Sequence, residues 1–435
     1  MGEDRYTHPR DLLVAYMARI YGYRMTTTSG GNLSIRDESG DVWITPAKID
    51  KGRLQRSDIV LVRADGSWES DAPPSSELPL HLTIYRTRPD VRAIVHAHPV
   101  ALVAFSIVAQ IPSTRVFHQA WRICGTGAFA PYRLPGSAEL GDAIAGALGA
   151  NHSCVILENH GVVAVGGDLP QAFQRFETFE FAGKSIIKAR LLGGTTRELS
   201  DAELDLADDQ AAETQDAVTP PPAPTAAEQE VRTTLQEFVR RGYRQRLFIS
   251  THGTFSARVD ERSFVITPHE RDRGALESAD LVFIDAGRAE AGSTPSHATQ
   301  LHAAIYRRHP EIGAIVNAAP VNATAFSIAN QVPDTRTIPE SRVVVRSPVL
   351  AQFRLQFEDP EALAALLSPQ QPIAMLENDG VLVTGGSVLE AFDRLEVLES
   401  TAEALINARA LGPLSPMDDA TIAELEAAFF GPSDD

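Results

Sequence analysis

Residues 84–100 read IYRTRPDVRAIVHAHPV and residues 305–321 read IYRRHPEIGAIVNAAPV; ten of these seventeen positions are identical. Other pairs follow in the same order. Ile44-Thr45-Pro46 matches Ile266-Thr267-Pro268, Ala104-Phe105-Ser106-Ile107 matches Ala325-Phe326-Ser327-Ile328, and Leu157-Glu158-Asn159 matches Leu376-Glu377-Asn378. The offset stays at roughly 220 residues, far too long for a solenoid period. The chain is one module written twice.

Between the copies, residues 199–229 lose hydrophobic periodicity, and Thr219-Pro220-Pro221-Pro222-Ala223-Pro224 favours an extended spacer. This predicts domains at residues 1–212 and 228–430, joined by an acidic, Pro/Ala-rich linker at 213–227. In the first copy, helical spacing of apolar residues predicts helices at 10–21, 78–85, 138–148 and 169–192. Short apolar runs split by turns predict strands at 33–35, 42–44, 59–62, 93–95, 154–157 and 162–165. Strands that return through short turns predict an α/β fold with a mostly antiparallel sheet under packed helices.

Composition narrows the function. Of 435 residues 43% are hydrophobic, which excludes a mainly disordered chain. A net charge of −18, from 39 basic and 57 acidic residues, argues against nucleic acid and anionic membrane as partners. The apolar run 100–109 is too short to span a bilayer. Two cysteines, Cys124 and Cys154, offer no disulfide framework, so a reducing cytoplasm is expected.

The chemistry-bearing signal is Val95-His96-Ala97-His98-Pro99. Residues two apart on a strand share a face, so His96 and His98 can chelate one divalent ion. His160, at a strand-turn-strand tip, is the candidate third ligand. Each histidine alone has a plain explanation as a packed or turn-capping residue. The second copy acts as a control: there the three become Asn317, Ala319 and Asp379 while their neighbours persist. Glu77, which follows Ser75 and Ser76 at the mouth of a helix, becomes Ala298. Joint loss of four polar groups reads as the loss of one metal site and its acid/base residue. His81 keeps a counterpart, His302, and is read as structural. Ser75 or Ser76 is expected to N-cap the helix from residue 78, and the Gly30-Gly31-Asn32 loop suits a bound anion.

Taken together, Gly31-Asn32-Leu33-Ser34, Ile44-Thr45-Pro46, Ser75-Ser76-Glu77, Val95-His96-Ala97-His98 and Asn159-His160-Gly161 resemble the class II aldolase/adducin family. That family includes L-fuculose-phosphate aldolase and L-ribulose-5-phosphate 4-epimerase. The resemblance spans residues 10 to about 195 and, in weakened form, 230 to about 412. It implies two tandem three-layer α/β/α domains, each with a mostly antiparallel central sheet. It implies His96, His98 and His160 as ligands of a divalent metal, zinc first, with manganese or cobalt as alternatives. Glu77 becomes the catalytic acid/base, and Asn32, Ser75 and Ser76 hold the anionic end of a small-molecule substrate.

The activity implied is a lyase that cleaves a C–C bond of a hydroxy-carbonyl, sugar-phosphate-like substrate through a metal-stabilised enediolate. Decarboxylation of a 3-oxo or aromatic acid, or 4-epimerisation of a sugar phosphate, would use the same site. The adducin branch implies instead a non-catalytic interaction module. A homo-oligomer is implied too, a dimer forming a pseudo-fourfold ring of four domains or a larger assembly. The chain departs from the sugar-phosphate members in two places. After the Ile-Thr-Pro strand it reads Ala47-Lys48, which lacks their hydroxyl and adds a cation for a phosphate or carboxylate. After Ile111-Pro112 no tyrosine follows; Arg115 and His118 are the candidates to replace it.

Overall fold

The computed structural model describes residues 8–68, 70, 72–209 and 223–431. The described residues fall into two compact units, one of residues up to Thr114 with Gln119–Lys184, the other of Arg115–His118 with the described residues from Ser185 on. Residues 213–222 of the expected linker lie outside the described residues, and a helix already begins at Ala226.

The first part of the chain runs α1 (Pro9–Gly22), β1 (Asn32–Arg36), β2 (Val42–Ile44), β3 (Val60–Val62) and α2 (Leu78–Thr87). It continues β4 (Ala93–Ala97), α3 (Val100–Ile107), α4 (His118–Cys124), β5 (Ala128–Ala130) and α5 (Ala138–Leu148). It closes with β6 (Cys154–Leu157), β7 (Gly161–Gly166) and α6 (Leu169–Leu191). The seven strands form one sheet in the order β3-β2-β1-β4-β7-β6-β5, antiparallel except for β5 beside β6.

Strand alternation builds the three layers. Ala93, Val95 and Ala97 of β4, with Val162 and Ala164 of β7, face a core holding Leu13, Met17, Phe173 and Phe176 of α1 and α6. Ile94, Val163 and Val165 face the other core, holding Leu80 and Ile84 of α2 with Leu140 and Ile144 of α5. His96 has the parity of Ile94, so the apolar pattern of β4 already decides which face it takes.

The rest of the chain repeats the plan. It runs α7 (Asp201–Asp209), α8 (Ala226–Arg244), β8 (Thr254–Arg258), β9 (Ser263–Ile266), β10 (Val282–Asp285), β11 (Arg288–Ala289) and α9 (Thr299–Arg308). Then come β12 (Ala314–Ala318), α10 (Val321–Ile328), α11 (Pro339–Val344), β13 (Val349–Ala351), α12 (Leu355–Glu358) and α13 (Pro360–Ala365). The end is β14 (Ile373–Leu376), β15 (Gly380–Gly385), α14 (Val388–Arg409) and α15 (Asp419–Phe430). The eight strands order as β11-β10-β9-β8-β12-β15-β14-β13. The core on one face joins Leu301 and Ile305 of α9 to Leu363 of α13; on the other, Phe238 of α8 meets Phe392 of α14 edge to face.

Two local expectations change. Residues 100–107, an apolar run in the sequence, form α3, and its cap comes from far along the chain. The buried Glu180 carboxylate accepts the N–H groups of Ala101 and Leu102 at 3.2 and 3.0 Å. Glu399 does the same for Asn322 and Ala323 at the start of α10. Neither Ser75 nor Ser76 caps α2: Glu77 itself holds the N-cap position, and the Ser75 hydroxyl accepts the Glu77 N–H at 3.2 Å.

His302 of α9 is wholly buried between Ser256 and Asn317, and burial pushes its pKa down to about 4. The unfolded chain takes up this proton near pH 6.5, the folded chain only near 4. Stability from this group is therefore complete above pH 6.5 and lost as pH falls toward 4, with a slope of up to about 1.4 kcal/mol per pH unit. Urea unfolding at pH 7 and pH 5 should show the drop in wild type and a smaller one in His302→Gln. Equal drops in the two proteins would contradict the assignment.

Candidate metal centre

Three elements deliver the site. β4 lies between β1 and β7, with His96 opposite Asn32 on one side and Val163 on the other. His98 follows one residue beyond the strand, and Pro99 then turns the chain into α3. The tight return from β6 to β7 places Asn159 in the left-handed region at φ 53° and carries His160 at its tip. The His160 N–H closes this turn on the Leu157 carbonyl at 3.0 Å.

The three imidazoles converge. Ring centroids lie 5.0 Å apart for His96 and His98, 4.9 Å for His96 and His160, and 5.0 Å for His98 and His160. One nitrogen from each falls within 4.8 Å of the others. Among the described residues, no other cluster of three His, Cys, Asp or Glu side chains is close enough to hold an ion. A carbonyl can only accept, so His96 Nδ1 donates to Val162 O at 3.0 Å and leaves Nε2 toward the cluster. His98 Nε2 is buried with no protein partner among the described residues. Glu77 reaches in from the start of α2, Oε2 lying 3.0 Å from His96 Nε2 and Oε1 3.7 Å from His160 Nε2.

Electrostatics suit a cation. Burial, helped by the neighbouring His96 and His160, pushes His98 down to about 3. Burial and His96 push His160 down to about 4. Both rings are neutral ligands at pH 7. Burial opposes the charge on Glu77, but His96, with His160 and His81 behind it, holds its carboxyl down at about 2. Neutral imidazoles, a buried nitrogen without a partner and an ionised carboxylate fit a divalent metal.

The other expected site residues spread around this cluster. Asn32 is buried beside His96 across the strand pair, its Oδ1 2.5 Å from His81 Nε2. Ser75 is buried, fixed by its N–H to Thr45 O at 3.2 Å and by the bridge between Pro46 and Pro74. Ser76 and Lys48 are exposed, with no hydrogen bond or ion pair to the four polar groups among the described residues. Lys48 takes a left-handed backbone, φ 54°, as does Glu270 in the repeat at 49°. Arg115 and His118 belong to the second unit and have partners there. Arg115 bonds Leu199 O and Asp201, and His118 Nδ1 lies 3.1 Å from Asp379 Oδ1.

In the second unit the same register pairs Asn317 with Thr254 and Leu382. The frame persists and the ligands do not. Asp379, at the place of His160, is largely buried; against the cost of burial, His118 holds its carboxyl below the usual range.

Sequence reading missed one residue of the loops. Lys51 is buried, its Nζ donates to Pro46 O at 2.8 Å, and burial pushes it down to about 8. Arg273 repeats that bond to Pro268 O, so the signal was a cation retained at matching positions.

Glycines admit the loops to the site. A Cβ on Gly30 would sit 3.0 Å from His98 Nδ1, and in the repeat this position is His252 opposite the small Ala319. A Cβ on Gly161 would sit 2.6 Å from Ala97 O and 2.7 Å from His98 Cδ2. Gly161→Ala should therefore displace His98 and lower bound metal, as His96→Ala should by removing a ligand. Gly146→Ala, with nothing within 4 Å, should match wild type. Elemental analysis of purified full-length protein checks this; full metal content in both Gly161→Ala and His96→Ala would refute it.

A family model for the class II aldolase and adducin N-terminal domain matches residues 11–187 and again 233–406. A 5-deoxy-D-ribulose 1-phosphate aldolase of Bacillus thuringiensis is 32% identical over 190 residues, 42% of this chain and 86% of that protein. A 3-oxo-tetronate 4-phosphate decarboxylase of Pectobacterium atrosepticum is 33% identical over 179 residues, 40% of this chain and 81% of the relative. An L-fuculose phosphate aldolase of Methanococcus maripaludis is 32% identical over 161 residues, 37% and 86%. With two matched segments on two sheets of the same plan, the chain belongs to the class II aldolase/adducin family.

Proposed function

We propose that the chain is a metal-dependent lyase with one working site, formed by His96, His98, His160 and Glu77, that cleaves a C–C bond in a small phosphorylated hydroxy-carbonyl compound. The observation that carries this reading is the convergence of three histidines and one ionised carboxylate in a single copy of a repeated frame. Zinc is the metal that three neutral imidazoles favour, and when bound it supplies Lewis acidity to the substrate's oxygens. Glu77, ionised and within reach of His96 and His160, is placed to take the hydroxyl proton as the C–C bond breaks. The bond's electron pair passes to the carbonyl-bearing fragment, and Glu77 then returns a proton to that carbon. Asn32 and Ser75, with Ser76 and Lys48 at the rim, hold the anionic end.

Loss of CO2 from a 3-oxo acid passes through the same kind of carbanion, and one similar protein is named a decarboxylase. The Ala47-Lys48 pair, a cation where a hydroxyl would serve phosphate, suits the anionic end of either substrate. The working copy corresponds to residues 1–212, the copy without ligands to 228–430, and the spacer to 213–227. A dimer arranging four such domains as a pseudo-fourfold ring is the proposed assembly. Cys124 and Cys154 are buried and unbridged, and no described helix is long and apolar enough to cross a membrane. Both observations accord with a cytoplasmic protein.

The test is incubation of metal-loaded protein with 5-deoxy-D-ribulose 1-phosphate and with a 3-oxo-tetronate 4-phosphate. Dihydroxyacetone phosphate from the first supports the aldol reading, CO2 from the second the decarboxylase reading, and neither refutes both. Glu77→Gln should lower kcat by roughly 10²-fold or more while metal content stays at the wild-type level. Loss of metal in that variant would make Glu77 a ligand rather than the base.

A further inference from the structure

The geometry points to a fixed proton-donor relay, Tyr85 to Ser34 to His81 to Asn32, that turns the NH2 of the Asn32 amide toward the substrate's anionic end and makes His81 a positioning residue. It rests on the reading that Asn32 meets that anion. Tyr85 Oη lies 2.7 Å from Ser34 Oγ, Ser34 Oγ 2.6 Å from His81 Nδ1, and His81 Nε2 2.5 Å from Asn32 Oδ1. All four side chains are buried. That burial leaves the proton directions to be set by the chain's own donors and acceptors.

Those directions follow from donor inventory. A neutral imidazole carries one proton, and burial pushes His81 down to about 3, so the ring is neutral. If His81 Nε2–H donates to Asn32 Oδ1, Nδ1 is bare and must accept from Ser34, whose oxygen then accepts from Tyr85. Every bond in that chain is 2.7 Å or shorter. Reversed, the chain would start from the Asn32 NH2 and end with Tyr85 Oη donating to Arg92 O at 3.5 Å, a stretched contact. The first direction satisfies the phenol, the hydroxyl and both ring nitrogens; the second leaves the phenol poorly bonded.

The consequence lies at the far end. With Oδ1 committed to His81, Asn32 offers Nδ2, which has no acceptor among the described residues. Asn32 faces His96 directly across the strand pair, so this donor lies on the metal side. An anion is drawn to an NH2 and repelled by an amide oxygen, so the relay selects for a phosphate or carboxylate there. In the repeat, Tyr306, Ser256 and His302 keep the relay at 2.8 and 2.7 Å. There it ends at 3.1 Å on Asn317, which replaces His96, while Thr254 stands where Asn32 was. The relay again fixes an amide, but the ligands it would serve are gone.

Ser34→Ala frees the imidazole to take either tautomer. In the metal-loaded full chain, calorimetry with inorganic phosphate should show roughly tenfold weaker binding for Ser34→Ala, with metal content unchanged and Ser34→Thr restoring affinity. With a phosphorylated substrate, KM should rise and kcat stay near wild type. Wild-type protein with 15N-labelled histidine should show His81 as the Nε2–H tautomer, a measurement that needs no variant. An Nδ1–H tautomer, or wild-type phosphate affinity in Ser34→Ala while Asn32→Ala loses it, overturns the relay. Unchanged phosphate affinity in Asn32→Ala overturns the anion reading beneath it as well.

Discussion

The register of β4 between β1 and β7 is the constraint on which the site depends. It sets His96 opposite Asn32 and Val163, and it fixes the parity that sends Ile94 and His96 to one face and Val95 to the other. A slip of one residue would exchange those faces and bury the imidazole among Met17 and Phe173. Apolar packing on both sides of the sheet therefore holds the histidine cluster in place. The turn at Asn159 and the start of α2 need only bring His160 and Glu77 to an address that β4 has already chosen.

The second unit separates what the frame needs from what the chemistry needs. It repeats the strand pairing, the carboxylate that caps the helix after the central strand, the buried cation under the Ile-Thr-Pro loop and the tyrosine-serine-histidine relay. The first three belong to folding and loop support, while the relay fixes an amide in each copy. Among the differences are all three histidines of the cluster and the carboxylate beside them. Here Asp379 lies 3.1 Å from His118 Nδ1, so the position matching His160 now faces an imidazole.

Much of this was legible in the chain. Two copies, a mostly antiparallel sheet and the convergence of His96, His98 and His160 followed from the repeat and from strand parity, because local pattern and tertiary register agree there. The helix 138–148 was placed to the residue, since Ser137 caps it locally. The parts that escaped depend on partners distant in sequence. α3 is capped by Glu180 some eighty residues later, and no serine or aspartate precedes it to announce a helix. Lys51 reads as a surface lysine until two loops close over it. The start of α2 at Leu78 was legible too, but its cap was not: Glu77 holds the N-cap position the serines were expected to fill.

The tight space between Gly30 and His98 bears on how the second site was lost. A side chain at the glycine position collides with the imidazole, yet the repeat has a histidine at that position, His252, where its neighbour has shrunk to Ala319. The two positions are thereby coupled: bulk at the glycine and an imidazole at His98 compete for one space, so bulk at both strains the loop while exchanging one for the other relieves it.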